Sequence, residues 1–348
     1  MKQYDEDFLN YLEGLDTEMA PPLKKEIDDT FRAVIKRTGL KRKMSGTKKV
    51  GRILLIAAAV AVCGAVTVAA SGFNLGNLFR GYFERSDPNG ANGAKPAVSL
   101  TDSQVETLNK SGAVLNQSVT DKGTTVTVKA AVGDKSGAYI LLDVAAPEGT
   151  VLGEDKYEFE DMPIDFNNIA DNKSGSAGWD ISTQKDDNPN DNKKSFIIRI
   201  SCAGIDLQNR EIGLTLKNLS VPTGKLTLRS IAEGEWKFHL KLNYNTFTKK
   251  VEMDKVTHFK DNYCTIQTVE ISSLSVNIIY TNPKPYTGPI PESPDLIILF
   301  KDGTQKKILP GPGTGSKENS TMTYQFSTPL DFDKIEKITV GDVEIPVK

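Results

Sequence analysis

Thr124-Thr125-Val126-Thr127-Val128-Lys129-Ala130-Ala131-Val132 alternates and is rich in β-branched residues; after Ser136-Gly137 comes a second apolar run, Ala138-Tyr139-Ile140-Leu141-Leu142-Asp143-Val144-Ala145. Alternation over this length places one set of side chains on each face of a strand, and the Ser-Gly step supplies the turn. The pair reads as an antiparallel hairpin, and the pattern recurs downstream. Phe196 to Cys202, Ile212 to Leu216 and Leu226 to Leu228 are strand-like, and Trp236, Phe238, Leu240 and Leu242 alternate with Lys237, His239 and Lys241. A further block starts near Thr248, with Thr265 to Val269, Ser273 to Tyr280, Leu296 to Phe300, Lys306 to Leu309, Met322 to Phe326 and Ile335 to Ile345. Asp302-Gly303 and Gly341-Asp342 mark turns within it. Many short strands with regular turns predict two antiparallel β-sandwich-like domains, at 99–246 and 247–348. Thr281 to Pro294 contains five prolines and reads as a loop.

Upstream the pattern turns helical. Leu100 to Leu115 reads as a short helix capped by Thr101 or Asp102, with Gly112 near its end. Asp87-Pro88-Asn89-Gly90-Ala91-Asn92-Gly93 is a turn-rich linker. Phe73, Leu75, Leu78, Phe79, Tyr82 and Phe83 suit either a membrane interface or an amphipathic helix packed on the β part. Together these form a juxtamembrane segment, 73–98.

Between Ile53 and Ala70 lie 18 residues without a charge, just enough to cross a bilayer core as a helix. Lys36, Arg37, Lys41, Arg42, Lys43, Lys48, Lys49 and Arg52 precede them. A basic flank on that side predicts a transmembrane helix at 50–72, with the N-terminus cytoplasmic and the β domains outside. A signal peptide also has a basic flank, and Val68-x-Ala70 offers a small-residue cleavage site. The long, patterned stretch ahead of the run favours a retained span.

That stretch, 1–49, reads as a helical arm. Tyr4, Phe8, Tyr11, Leu12 and Leu15 form one stripe, Pro21-Pro22 ends it, and Leu23, Ile27, Phe31, Val34 and Ile35 form a second that stops near Gly39. So short an arm buries little by itself, and it has no His or Cys for a metal or disulfide. Two apolar stripes without a core call for a partner that supplies the groove. The first helix is acidic, with Asp5, Glu6, Asp7, Glu13, Asp16 and Glu18 against Lys2, which favours a basic partner surface. The basic run alternatively lays the second helix on anionic lipid.

Composition excludes several classes. The net charge is −2, and the β part lacks a basic patch interleaved with aromatics, so direct nucleic-acid binding is not expected. The three cysteines, Cys63, Cys202 and Cys264, and the two histidines, His239 and His258, have no zinc-site or catalytic-triad spacing. His239 falls on the solvent face of its strand. Cys202 and Cys264 suit either a disulfide or two buried small hydrophobes in neighbouring strands. Asp186, Asn188, Asn190 and Asp191 begin like a calcium loop, but Asp191 stands where glycine is needed and Ile197 where the bidentate glutamate belongs. The stretch reads as a solvated loop. No catalytic, cofactor or metal site is expected, and no enzymatic activity.

The opening Tyr4-Asp5-Glu6-Asp7-Phe8-Leu9-Asn10-Tyr11-Leu12-Glu13-Gly14-Leu15-Asp16-Thr17-Glu18-Met19-Ala20-Pro21-Pro22 resembles the N-terminus of single-span anti-sigma factor-like proteins of Gram-positive bacteria. Leu100-Thr101-Asp102, and Asn116-Gln117-Ser118-Val119-Thr120-Asp121 leading into Lys122-Gly123-Thr124-Thr125-Val126-Thr127-Val128, are similar to the uncharacterised outside domain of that family. The resemblance covers residues 1 to about 150; beyond them it is one of architecture. It implies that the arm holds an alternative sigma factor, with Phe8, Leu12, Leu15, Ile27, Phe31 and Ile35 in the partner's grooves. The His and Cys-x-x-Cys of the zinc-binding subclass are missing, which implies a zinc-free variant. The competing expectation is an anchored or secreted envelope protein whose β domains bind a surface polymer or another protein.

Overall fold

The computed structural model describes residues 66–67, 74–85, 97–167, 175–224, 227–244, 247–259, 262–281, 295–316 and 318–347. Among these the fold is mainly β: four antiparallel sheets and two α-helices. The six binding residues expected in the arm, Phe8, Leu12, Leu15, Ile27, Phe31 and Ile35, lie outside the described residues, as do the 87–93 linker and most of the 281–294 loop.

The first sheet has the order β1 (Val66–Thr67), β2 (Gly112–Asp121), β3 (Thr124–Gly133), β4 (Gly137–Ala145), β8 (Lys193–Ala203), β7 (Ser176–Thr183). The second runs β10 (Leu228–Lys241), β9 (Glu211–Pro222), β5 (Glu158–Asp161), with β6 (Ile164–Asp165) also on β9. Their facing sides form one core, in which Val126, Val128, Ile140, Leu142, Phe196 and Ile198 meet Leu214, Leu216, Trp236, Phe238 and Leu240. The third sheet runs β11 (Lys249–Phe259), β12 (Asn262–Ile271), β13 (Ser275–Thr281), β17 (Asn319–Gln325), β16 (Gly313–Gly315). The fourth runs β15 (Gln305–Ile308), β14 (Leu296–Phe300), β18 (Ile335–Val340), β19 (Val343–Ile345). Ile266, Val276, Ile278 and Tyr324 from the third face Leu296, Ile298, Ile338 and Ile345 from the fourth. Each pair of sheets is thus a sandwich closed over its own apolar filling.

Local chemistry sets the turns. Lys122 and Gly123 both take positive φ between Asp121 and Thr124, the twist that a two-residue hairpin requires. Asn116 also has positive φ, and the register of β2 on β3 shifts there, between Val114 and Gln117. It is a bulge residue, and asparagine tolerates that backbone better than most side chains. The bulge lies in the Asn-Gln-Ser-Val-Thr-Asp stretch, whose side chains bind the opposite sheet. Gln117 Nε2 donates to the His239 carbonyl at 3.2 Å, and Asp121 Oδ2 accepts the Glu235 amide at 2.8 Å. Trp236 Nε1 donates to the Thr124 carbonyl at 3.0 Å. These bonds fix β10 across the edge formed by β2 and β3.

Two helices cover the outer face of the first sheet. In α1 (Leu75–Glu84), Leu75, Phe79 and Phe83 repeat every four residues and are fully buried. The amphipathic-helix alternative for this stretch is the one observed. The Asn74 side chain caps α1 by accepting from the Asn77 amide. In α2 (Asp102–Lys110), Thr101 and Gln104 form a reciprocal capping box. This helix is shorter than the predicted 100–115 span because Gly112 already begins β2. The helices cross closely at Gly76, where a Cβ would stand 2.6 Å from the Val105 carbonyl oxygen. Covered on both sides, β4 is buried from Gly137 through Leu142, which explains its unbroken apolar run.

The described part of the predicted 50–72 span is β1, which is extended and pairs Val66 with Val114 and Thr67 with Ala113. Residues paired on β2 are not inserted in a bilayer, so this pairing and insertion of the whole 50–72 segment exclude one another. Among the described residues no helix is long and apolar enough to cross a membrane.

The burial of α1 yields a direct test. Phe79→Ala should lower stability by about 3–5 kcal/mol in urea denaturation, through lost transfer energy and a residual cavity. Gly81→Ala on the same helix, with open space around the added carbon, should raise stability by about 0.5–1 kcal/mol.

Candidate functional site at the seam between the sandwiches

The richest polar arrangement among the described residues is the contact between the two sandwiches, beneath α1. It begins at the β3–β4 turn, Asp134-Lys135-Ser136-Gly137. The Asp134 side chain folds back on the turn, its Oδ1 accepting the amides of Ser136 (2.8 Å) and Gly137 (2.7 Å). Its Oδ2 points to the other sandwich and accepts from the hydroxyls of Ser272 and of Ser275, the latter at 2.6 Å. Ser272 is itself held by the amides of Leu274 and Ser275, each 3.0 Å from its Oγ. Tyr244, just after β10, donates its hydroxyl to the Asp134 carbonyl at 3.0 Å. Asp134, Ser136, Ser272 and Ser275 are all buried. Burial pushes the Asp134 carboxyl above its usual range, and its four hydrogen-bond donors pull the other way without cancelling the shift.

Further bonds extend the seam. Asn277 Nδ2 donates to Ser136 Oγ. Thr323 Oγ1 lies 2.7 Å from both the Cys202 carbonyl and Asn277 Oδ1. Gln325 Nε2 donates to the Ile200 carbonyl at 3.2 Å, close above Gly137, where a Cβ would stand 2.6 Å from that nitrogen. Ser176 Oγ donates to the Gly313 carbonyl, and Lys135 pairs with Glu270 at 3.1 Å.

The seam also meets the helices. The Tyr139 hydroxyl donates to the Phe326 carbonyl at 3.0 Å, and its ring stacks edge-on against Phe83 of α1 with centroids 4.9 Å apart. Leu274, from the second sandwich, joins the apolar cluster of Leu75, Phe79 and Phe83. From α2, Thr101 Oγ1 reaches Asp331 Oδ2 and Gln104 Nε2 reaches the Pro329 carbonyl. The helix that follows the apolar segment therefore rests on residues from both sandwiches.

The residues weighed for chemistry are placed elsewhere. His239 is exposed on the outer side of β10, as the alternation predicts. His258 is exposed, its Nδ1 3.3 Å from Asp342 Oδ2. Cys202 and Cys264 are buried free thiols on β8 and β12, in different sandwiches rather than in neighbouring strands. Burial pushes the Cys202 thiol up to about 12, far from a reactive thiolate. Asp186, Asn188 and Asp191 are engaged within the loop and with the start of β8. Asp186 accepts from the Asn188 amide and faces Lys194 Nζ at 3.3 Å, and Asp191 accepts from Asn188 Nδ2 and the Lys193 amide. Among the described residues no group of three His, Cys, Asp or Glu side chains is placed to hold a metal ion. The seam joins the two sandwiches through buried hydrogen bonds and meets α1 through Tyr139 and Leu274.

No family model matches the chain, and no curated protein matches it. Among solved structures, a conserved domain protein from Bacillus anthracis is similar to it, with a TM-score of 0.46 and 15% identity over 67% of this chain and 78% of that one. TarS from S. aureus is similar with a TM-score of 0.16 and 12% identity over 69% and 45%. Likenesses this distant carry no argument about what the chain binds.

The seam makes two expectations. Asp134→Ala strands four buried donors and should cost about 3–5 kcal/mol. Tyr139→Phe leaves only the Phe326 carbonyl without its partner and should cost about 1–2 kcal/mol. Urea denaturation of the full chain followed by Trp fluorescence checks both.

Proposed function

We propose that the chain is a non-enzymatic, single-span regulator of the anti-sigma type. Its N-terminal arm holds an alternative sigma factor on the cytoplasmic side, and its two β-sandwiches stand outside and read the state of the envelope. The observation that carries this reading is the order of the sequence. An acidic arm with two apolar stripes is followed by a basic flank, an uncharged run from Ile53 to Ala70, and a long β-rich remainder. The resemblance of residues 4–22 and 100–128 to single-span anti-sigma-like proteins supports it.

The docking of α1 adds a physical route. On this reading α1 is the first described helix after the span, and it rests on both sandwiches. A ligand that shifts one sandwich against the other would disturb the bed of α1 and so pull on the span. Insertion of the whole span would in turn require β1 to leave β2.

Co-purification tests the proposal. The full chain should retain a sigma factor of its own cell, and Phe8→Asp or Phe31→Asp should abolish capture by placing a charge in an apolar groove. Failure to bind any of the cell's sigma factors overturns it, as does unchanged transcription after deletion of residues 2–40.

A further inference from the structure

Lys306 puts a charge where the sandwich pattern calls for an apolar side chain. The fourth sheet ends at β15, whose one hydrogen-bonded neighbour among the described residues is β14. Their register sets Ile308 opposite Leu296 and Lys306 opposite Ile298. Cross-strand partners share a face, and Leu296, Ile298 and Ile308 all lie in the core of the second sandwich. Lys306 therefore stands on the inner face and is half-buried, while Gln305 and Lys307 on either side are exposed. Its ammonium reaches across the sandwich to Ser327 Oγ, 3.3 Å away and just past the end of β17 in the opposite sheet.

That placement is costly. Among the described residues Lys306 makes no ion pair, and its hydrogen bond goes to a neutral hydroxyl. Burial holds it below the ordinary lysine range. An apolar residue would fill the position without desolvating a charge. The edge explains the exception. β15 presents unpaired amides and carbonyls, a template for another strand. Ile297 on the outer face of β14 and Leu309 after Ile308 are exposed beside it. A second copy of the chain fits this edge by symmetry: a two-fold axis through the sheet keeps inner face with inner face and pairs β15 antiparallel with itself. Centred on Lys306, that pairing sets two Lys306 ammoniums opposite each other; centred on Lys307, two Lys307 ammoniums. Either centre opposes like charges, and either closes the open edge through which Lys306 meets water.

We propose that the β15 edge is a latent self-association surface and that Lys306 is the gatekeeper that keeps it unpaired. With the inward charge in place the fourth sheet ends within one chain; without it the sheet continues into a second copy. The inference holds whatever the arm binds.

Sedimentation of the full chain in detergent, from dilute to concentrated, tests it, with hydrogen exchange at 305–308 read at both ends of the range. Lys306→Met keeps length and bulk and removes the charge. It should self-associate at least about tenfold more tightly than the native chain, the scale of one relieved like-charge contact. Protection at 305–308 should grow with its concentration. In the native chain, and in Lys307→Met, which leaves the inward charge in place, that protection should not change with concentration. Association of Lys306→Met no tighter than native overturns the proposal, as does association without protection at 305–308, which puts the contact elsewhere. Equal association of Lys307→Met rejects the role of the inward lysine, and concentration-dependent protection in the native chain rejects the guard. Should Lys306→Met not fold, Lys306→Gln, neutral and able to donate to Ser327 Oγ, gives the same readout.

Discussion

A carboxylate removed from water must be given back its hydrogen bonds or its proton. At Asp134 the protein supplies two amides from its own turn and two hydroxyls from the other sandwich. Neither sandwich satisfies this group alone. If the sandwiches part, the carboxylate regains water, but Ser272, Ser275, Asn277, Thr323 and Gln325 lose partners across the same surface. The seam is therefore more polar than either core, and its strength depends on every bond being made together. Such an interface suits a joint that must be defined yet able to open.

The placement of α1 makes that joint consequential. Leu75, Phe79 and Phe83 do not rest on one rigid sheet alone. Their bed includes Tyr139, whose hydroxyl is bonded to the second sandwich, and Leu274, which belongs to it. Opening the seam removes part of the floor under the helix. The coupling needs no long pathway, because one tyrosine touches both the helix and the far sandwich.

Much of the β architecture was legible in the sequence, because alternation survives wherever one face of a sheet is buried. Trp236 to Lys241 and Thr124 to Val132 lie in strands as the alternation predicts. The Leu100–Leu115 helix was read too long, because the apolar residues Ala113 to Leu115 suit a helix end as well as a buried strand. The seam was invisible. Asp134-Lys135-Ser136-Gly137 reads as an ordinary turn, and the serines that complete it lie 138 and 141 positions away. Nor could the sequence choose between a membrane interface and the sandwich for Phe79 and Phe83, since both bury aromatic rings. The candidate binding residues of the arm rest on periodicity and resemblance alone.

If the seam and α1 act as one unit, hydrogen exchange of α1 reports it. Asp134 does not touch α1, yet Asp134→Ala should speed exchange across residues 75–84 together with 272–276, while the Trp236 strand keeps its protection. If α1 keeps native protection while 272–276 opens, the helix is anchored to the first sandwich alone, and the coupling described above is wrong.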